Sequence, residues 1–360
     1  MKLDTQECLA AFKIVDQVDT QAGLPSSQFV RLVAKKSDLQ MSLTGLCIGQ
    51  AVCAIQEPGP DWTWYLDRRV LSAFLTSAKT KTIIVTVQKD NLQWQAGRQK
   101  VTMAGMEPIA GYATWGAKGT SLLKLAPELR KELAVHAVYA PVTAAADHLS
   151  AVCLCKGYGI LASDSFVVSV CLDKAQTATV RLPVLLARLL STVKDATSVL
   201  VDNTGAGIKY PQGYLYQPLS DNCIKSYPLK KICGVVTAQM AAPVTLKVKA
   251  KVFLDTLSHL KNFIFGSDTD LQVTCRPAAT AGMALLSLDV MQGQAQTSMA
   301  AEYTKDFKLT WMIAKILPWV EYVAGLDPEQ VITCGQKDGC HIFAAKDHKQ
   351  HRLLIVAESV

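Results

Sequence analysis

The chain repeats one order of helix and strand signals three times, at a spacing of roughly 115 to 130 residues. That length is a whole domain rather than a solenoid turn, so the repeat calls for three similar domains, placed at 1–121, 122–241 and 242–360. Each copy opens with an amphipathic helix. Strands of alternating pattern follow, then a short strand running directly into a second amphipathic helix, then two or three closing strands. In the first copy the helix is expected over 5–18 and strands over 29–34, 39–46, 51–55 and 62–66. Asp67 caps a helix reaching Ala78, and strands follow over 83–88, 91–96 and 99–104. The second copy reads as a helix over 127–140 and strands over 150–155, 159–163, 167–172 and 177–182. Pro183 opens its second helix, where a missing N–H costs nothing, and strands close it over 198–202, 207–210 and 213–217. The third copy has a helix over 251–264, strands over 271–275, 284–290, 297–303 and 307–311, and a helix over 312–323. Its closing strands are 331–334, 340–344 and 352–356. Turns at Lys89-Asp90-Asn91, Gly205-Ala206-Gly207 and Lys337-Asp338-Gly339 fill corresponding slots. Pro318 lies inside the last expected helix, so that helix should begin later or be kinked.

Composition narrows the class. Half of the 360 residues are hydrophobic and 19% are charged, the profile of a globular chain with several modest cores. The net charge of +7 favours polyanionic partners only weakly. Of the 11 cysteines, Cys47, Cys53, Cys171 and Cys275 sit singly in apolar runs and read as small core residues, which suits a reducing cytoplasm. No secretory apolar stretch follows Met1, and no run approaches the roughly 20 uncharged residues a membrane span needs, so no membrane partner is expected.

Chemistry-bearing constellations are weak. Cys334, Cys340, His341, His348 and His351 cluster near the end, but their spacing matches no zinc ribbon or finger. Cys153-Leu154-Cys155 puts two thiols on one face of a strand, as core packing would. Gly205-Ala206-Gly207 lacks the Gly-Lys-Ser/Thr of a nucleotide loop, and Ser163-Asp164-Ser165 has no assignable histidine. No catalytic residue, metal or cofactor is expected, and the chain reads as a non-enzyme.

With the repeat in place, several stretches resemble the beta subunit of bacterial DNA polymerase III, the sliding clamp. Gly23-Leu24-Pro25 and the run 39–45 resemble that family's early "TLP" and "LSLTGTD" stretches. The run 91–104 resembles its "SGRSRFSLST" hairpin, with Gly97-Arg98 the most recognisable part. Leu161-Ala162-Ser163-Asp164-Ser165 is similar to "VATDGHRLA", and 307–323 to the last strand–helix unit. The resemblance spans nearly the whole chain as pattern rather than identity. It implies an α+β fold of three tandem clamp domains, each with two helices packed on antiparallel sheets. It further implies a head-to-tail homodimer closing into a ring, helices inside and sheet outside. The implied function is a processivity factor that encircles double-stranded DNA and tethers a DNA polymerase and a clamp loader through short linear peptides.

A sliding surface needs thin, sequence-independent phosphate contacts. The candidates on the expected helix faces are Lys13, Arg69 and Lys79, then Arg130 and Lys131, either of which can face inward, then Arg188, Lys251 and Lys315. Glu132, Asp195 and Asp255 dilute this charge. Carried over from the family, the peptide pocket has Leu149, Ser163, Ser165, Phe166, Val167, Val168 and Ile232 on its wall, with Leu354 and Val356 from the last strand. The usual Gly-His-Arg-Leu is Ser165-Phe166-Val167-Val168 here, and the usual Met-Pro-Met-Arg-Leu ending is Val356-Ala357-Glu358-Ser359-Val360. With the positive net charge, these departures point to a divergent relative, encoded by a phage or plasmid. The rival reading is a clamp-like adaptor that binds partner proteins without encircling DNA.

Overall fold

The structure is a computed structural model that describes all residues except 20–23, 90, 105, 116–120, 125, 143, 177, 191–197, 265–270, 291–292, 304, 348–349 and 359–360. Its elements fall into three matching series. The first is β1 (Lys2–Asp4), α1 (Thr5–Val15), the short α2 (Pro25–Gln28), β2 (Phe29–Lys35), β3 (Asp38–Thr44), β4 (Ile48–Glu57), β5 (Trp62–Asp67), α3 (Arg68–Ser77), β6 (Thr82–Gln88), β7 (Asn91–Ala96) and β8 (Gln99–Ala104). The second is β9 (Ser121–Lys124), α4 (Pro127–His136), β10 (Ala151–Cys155), β11 (Gly159–Ser163), β12 (Val167–Leu172), β13 (Val180–Pro183), α5 (Val184–Leu189), β14 (Ser198–Val201), β15 (Gly205–Tyr210) and β16 (Gly213–Pro218). Two helices, α6 (Asp221–Ser226) and α7 (Leu229–Gln239), lead to the third. That series is β17 (Val244–Lys249), α8 (Ala250–Lys261), β18 (Gln272–Pro277), β19 (Met283–Val290), β20 (Gly293–Ala300), the two-residue β21 (Glu302–Tyr303), β22 (Leu309–Met312), α9 (Ile313–Leu326), β23 (Val331–Lys337), β24 (Cys340–Lys346) and β25 (His351–Ala357).

The pairing shows the copies to be equivalent strand by strand. The strand before the second helix and the three strands after the first helix form one ladder: β5-β2-β3-β4, β13-β10-β11-β12 and β22-β18-β19-β20. The opening strand pairs with the first strand after the second helix in each copy: β1 with β6, β9 with β14, β17 with β23. The sequence reading had not placed β1, β9 or β17, nor α6 and α7. The middle hairpin turn also lies earlier than expected, at Asp202–Asn203–Thr204, where the Asp202 carboxylate accepts from the Thr204 and Gly205 N–H groups, and Gly205 itself begins β15.

By contacts the chain divides into two compact units. One holds Met1–Ala126 and Val193–Leu219; the other holds Pro127–Thr192 and Ser220–Val360. The first contains a 12-stranded sheet in which β4 carries on into β16, so the first copy and the closing strands of the second share one sheet. Its core is Phe12, Phe74 and Trp94 with Leu3, Leu32 and Met41, all buried, and the Phe74 and Trp94 rings meet edge to face at 5.9 Å. The second unit contains a nine-stranded sheet joined by β12 and β25 and a four-stranded sheet of the third copy. Its core includes Phe253, Trp311 and Phe343, with Trp311 edge-on to both phenylalanines.

Local chemistry sets the helix ends. Asp4 accepts from the N–H groups of Gln6 and Glu7 in α1, and Asp67 from those of Arg69 and Val70 in α3. Pro183 is the residue before α5 rather than its first. α9 starts at Ile313, one residue later than expected, and Pro318 stands inside it, in the second turn. The carbonyl that loses its partner belongs to Ala314, which is exposed and can be hydrated. Among the described residues no helix is long and apolar enough to cross a membrane.

Candidate functional site

Three features are candidates: sheet edges, helix cations and a groove on the nine-stranded sheet. The edges follow from the repeat. The first copy joins the second through β4 and β16, and the second joins the third through β12 and β25. In the same positions of the repeat stand β20, which pairs with β19 alone among the described residues, and β8, which pairs with β7 alone. Each therefore carries a row of N–H and C=O groups with no strand beside it.

The eight basic candidates divide. Lys13, Lys79 and Lys131 are exposed and form no ion pair among the described residues. Of the adjacent pair, Lys131 is the exposed one and Arg130 is half-buried. Arg69 reaches Asp67 at 3.2 Å and Lys251 reaches Asp255 at 2.8 Å, both at the surface. Arg188 donates to the carbonyls of Ala137 and Ala140 at 3.1 and 3.2 Å. Lys315 is half-buried rather than exposed as expected, with its ammonium 2.6 Å from Asp164. Glu132 does not dilute a surface: it is buried beneath Arg352 of β25, its Oε1 accepting from Nε at 2.7 Å. Burial alone would raise its carboxyl, yet His136 and Arg352 more than reverse this and hold it at about 2. Asp255 is the partner of Lys251, and Asp195 lies outside the described residues.

Of the nine expected pocket residues, Leu149, Ser163, Val167, Val168, Ile232, Leu354 and Val356 are buried. Ser165 and Phe166 form the loop between β11 and β12. Ser165 takes φ +81°, a conformation costly for a residue with a Cβ, and Phe166 is 70% exposed. Asp164 holds this loop, accepting from the N–H groups of Phe166 and Val167 at 3.0 and 2.7 Å. The register then splits the set. Ser163 pairs with Val168 and Val168 with Ile355, so these share one face. Val167 pairs with Val356 and Ser169 with Leu354, which puts Leu354 and Val356 on the opposite face, where Ser169 meets His136 of α4 at 2.8 Å. From β25, the residues beside Ser163 and Val168 are Leu353 and Ile355.

On that Ser163 face, where α7 approaches β12, lies a groove of about 190 Å³. Leu353 and Ile342 form its floor; Gln239 and Met240 at the end of α7, with Pro243 and Val244, form its wall. Met240 and Val244 are 45% and 50% exposed. Burial and the nearby Lys346 keep His351, at one edge, below the ordinary histidine range and so neutral near pH 7. Leu353 shares the face of Ser163 and Val168, but none of the nine expected pocket residues lines this groove, whose wall follows α7, which the sequence reading had not placed. A second groove, of about 550 Å³, lies in the other unit beside Lys209, Tyr210 and Val52. Among the described residues no three histidine, cysteine or acidic side chains gather as metal ligands do.

Three copies of a unit of two helices and eight strands, to which the first adds the short α2 and the third adds β21, joined edge to edge, make the fold of DNA sliding clamps. The solved structures agree. The DNA polymerase III subunit beta of Pseudomonas aeruginosa matches with a TM-score of 0.79 over 100% of both chains at 14% identity. The beta subunit of Thermotoga maritima matches at 0.77 over 100% of this chain and 98% of its own, at 14% identity, and the Bacillus subtilis sliding clamp at 0.76 over 100% and 99%, at 13%. No protein-family model and no curated protein matches the sequence. The chain thus shares the clamp fold over its whole length while sharing little of the clamps' sequence.

Proposed function

We propose that the chain is a sliding clamp: a ring closed around duplex DNA that tethers a DNA polymerase and other partners through short peptides and performs no bond chemistry. The observation that carries this is the pair of open edges. Twice within the chain, the end strand of one copy's ladder, the third strand after its first helix, takes the last strand of the next copy as its neighbour. The open β20 is the end strand of its ladder, and the open β8 is the last strand of its copy. A second chain can therefore supply β8 to β20 and receive the same in return. Such a head-to-tail contact closes when the rotation suits, here with six copies in two chains.

In that ring the work is topological, so contacts to DNA need only be weak. Lys13, Lys79 and Lys131 suit this role as unpaired surface cations, and Arg69 and Lys251 can exchange a surface carboxylate for a phosphate at small cost. Three domains at 1–121, 122–241 and 242–360 and a cytoplasmic location belong to the same reading.

The test is to block one edge. In the β7–β8 hairpin the two-residue turn at Gly97-Arg98 makes Ala96 and Gln99 a bonded pair, so alternation turns the N–H groups of Lys100, Thr102 and Ala104 outward. Thr102→Pro removes an outward donor without touching the β7 ladder. The wild-type chain should be a dimer by light scattering and stay on nicked circular DNA longer than on linear DNA. Thr102→Pro should be monomeric and lose that difference. A wild-type chain that is monomeric at high concentration and leaves both DNAs equally fast would refute the clamp and favour the adaptor.

A further inference from the structure

The linker helix α7 is fastened along one face only. It buries Ile232, Cys233, Val236 and Gln239, while Lys230, Lys231, Gly234, Thr237 and Ala238 are exposed. No side chain caps its first N–H groups, since the residue before it is Pro228. Gly234 stands in its middle with open space around it, where alanine would favour the helix more. Beyond the buried side chains, two polar ties hold α7 down. The Tyr158 and Thr237 hydroxyls meet at 3.3 Å, and Lys337 Nζ donates to the Ala238 carbonyl at 2.6 Å. An uncapped helix with one face in water opens locally more readily than the sheet beneath it.

Under this helix two thiols touch. Cys233 Sγ lies 3.9 Å from the Sγ of Cys155, the last residue of β10. They are 8% and 6% exposed. Burial and the neighbouring Cys155 push the Cys233 thiol up to about 12, so it stays protonated and inert while α7 is docked. A disulfide would shorten the 3.9 Å separation to about 2.05 Å. That closure is of the size a change of side-chain rotamer supplies.

Position separates this pair from other thiols of the chain. Cys8 and Cys53 also meet, yet they lie between α1 and β4 at 0% and 3% exposure, and Asp4 caps α1. Cys153 and Cys223 are wholly buried. A reagent reaches those four by opening a core. It reaches Cys155 and Cys233 when one linker helix lifts.

We propose that Cys155 and Cys233 form a redox-modification site: when α7 lifts, a small disulfide such as oxidised glutathione converts the two thiols to a disulfide, which then fixes α7 on β10. In the first step one cysteine, as its thiolate, attacks the reagent; a mixed disulfide forms on the chain and one reduced thiolate leaves. In the second step the other cysteine, as its thiolate, attacks the chain's sulfur in that mixed disulfide. The Cys155–Cys233 bond forms and a second reduced thiolate leaves. The two protons lost by the cysteines end on the two departing thiolates, so the chain is oxidised by two electrons and the reagent reduced by two. A reducing pool reverses both steps, so in a reducing compartment the bond is transient. Because α7 ends in Gln239 and Met240, the bond also fixes one wall of the smaller groove. The site itself depends neither on what that groove binds nor on ring closure.

The test incubates the full chain with oxidised glutathione at neutral pH, blocks the remaining thiols with iodoacetamide and maps its peptides by mass spectrometry without reduction. The Cys155–Cys233 crosslink should exceed that of every other cysteine pair by at least about tenfold. Hydrogen exchange across 229–239 should then slow by at least about tenfold, because the bond closes a long loop, and should recover with dithiothreitol. Cys155→Ser and Cys233→Ser should each abolish the slowing. Far-ultraviolet circular dichroism checks that each variant folds, and one folded variant suffices. Alkylated thiols at both positions, a crosslink no more abundant than those of other pairs, or a crosslink that leaves exchange in α7 unchanged would each overturn the inference. None of these results touches the clamp reading, which ring closure on DNA tests separately.

Discussion

The buried pair of Glu132 and Arg352 makes a quantitative prediction. Glu132 on α4 and Arg352 on β25 are 3% and 8% exposed at their side chains, so solvent screens them little. Arg352 also reaches Asp347 at 2.8 Å, and its guanidinium lies 5.8 Å from the Tyr322 ring centre. Glu132→Gln keeps the shape and deletes the charge. The carboxyl is held at about 2 against an ordinary 4.5. A carboxyl depressed by about 2.5 pH units, at about 1.4 kcal/mol each, gives about 3.5 kcal/mol of stability at pH 7. Breaking a buried pair by removing one partner costs a similar 3–5 kcal/mol or so. The sign follows from the lowered value. The contribution is nearly complete above about pH 5 and is lost as pH falls toward 2; at pH 3 about 1.4 kcal/mol remains. Because the chain has two compact units, global unfolding would mix transitions, so the assay is hydrogen exchange read by mass spectrometry on α4 and β25, corrected for intrinsic rates. Glu132→Gln should speed exchange there by roughly a few hundredfold at pH 7 and by only about tenfold at pH 3. A change under threefold at pH 7, or an equal change at both pH values, would show that the pair does not hold the second copy to the third.

Three further perturbations act on single features. Gly207→Ala drives a Cβ into the Trp115 ring, so exchange across 106–115 should rise at least about tenfold, an overpacking cost of 1–3 kcal/mol. Ser165→Gly removes the cost of φ +81° and should slow exchange across β11 and β12 about fivefold, a gain of about 1 kcal/mol; faster exchange would mean that the Ser165 side chain outweighs the strain. Pro318→Ala returns an N–H to the Ala314 carbonyl inside α9, and exchange across α9 should slow to match a gain of about 1–3 kcal/mol, less the added freedom of the unfolded chain.

Much of the fold was legible because alternation and caps carry most strand and helix information. β7, β8, β11 and β12 lie where alternation put them, residue for residue. Capping by Asp67 fixed the start of α3. The unread elements were short or lay between copies. Lys2–Asp4 offers one apolar residue, Leu3, which is no pattern. Val244–Lys249 does alternate, with Leu246 and Val248 buried and their neighbours exposed, and α7 buries Ile232, Cys233 and Val236 at helical spacing. Those signals were present, but they fell outside a template of two helices per copy. The pocket was harder. Leu354 and Val356, the residues expected on its wall, alternate along β25 with Leu353, which lines the groove beside α7, and in a strand a step of one residue turns the side chain to the other face. Nothing in the run 352–356, apolar at every position after Arg352, marks which parity faces the groove.

The two linkers show how the repeat reuses chemistry where secondary structure differs. After the first copy the chain runs extended through Tyr112; after the second it folds into α6 and α7 with Tyr227 between them. The Tyr112 hydroxyl donates to the Phe29 carbonyl at 2.5 Å, and Arg31 lies 5.9 Å from its ring. The Tyr227 hydroxyl donates to the Ala151 carbonyl at 3.4 Å, and Arg181 lies 5.6 Å from its ring. Phe29 pairs with Asp67, the residue before α3, and Ala151 with Pro183, the residue before α5, so the two carbonyls are the same atom of the repeat. The arginines come from opposite members of one cross-strand pair, for Arg31 faces Tyr65 and Arg181 faces Cys153. In the third copy the corresponding residue is Gln272, opposite Met312, and the pair that would carry the arginine is Thr274 and Thr310. The anchor therefore belongs to the linkers rather than to the domain. It appears where a strand of one copy must be held in register with the last strand of the next. A tyrosine suits that duty because its ring covers apolar sheet while its hydroxyl satisfies a carbonyl at the ladder's end.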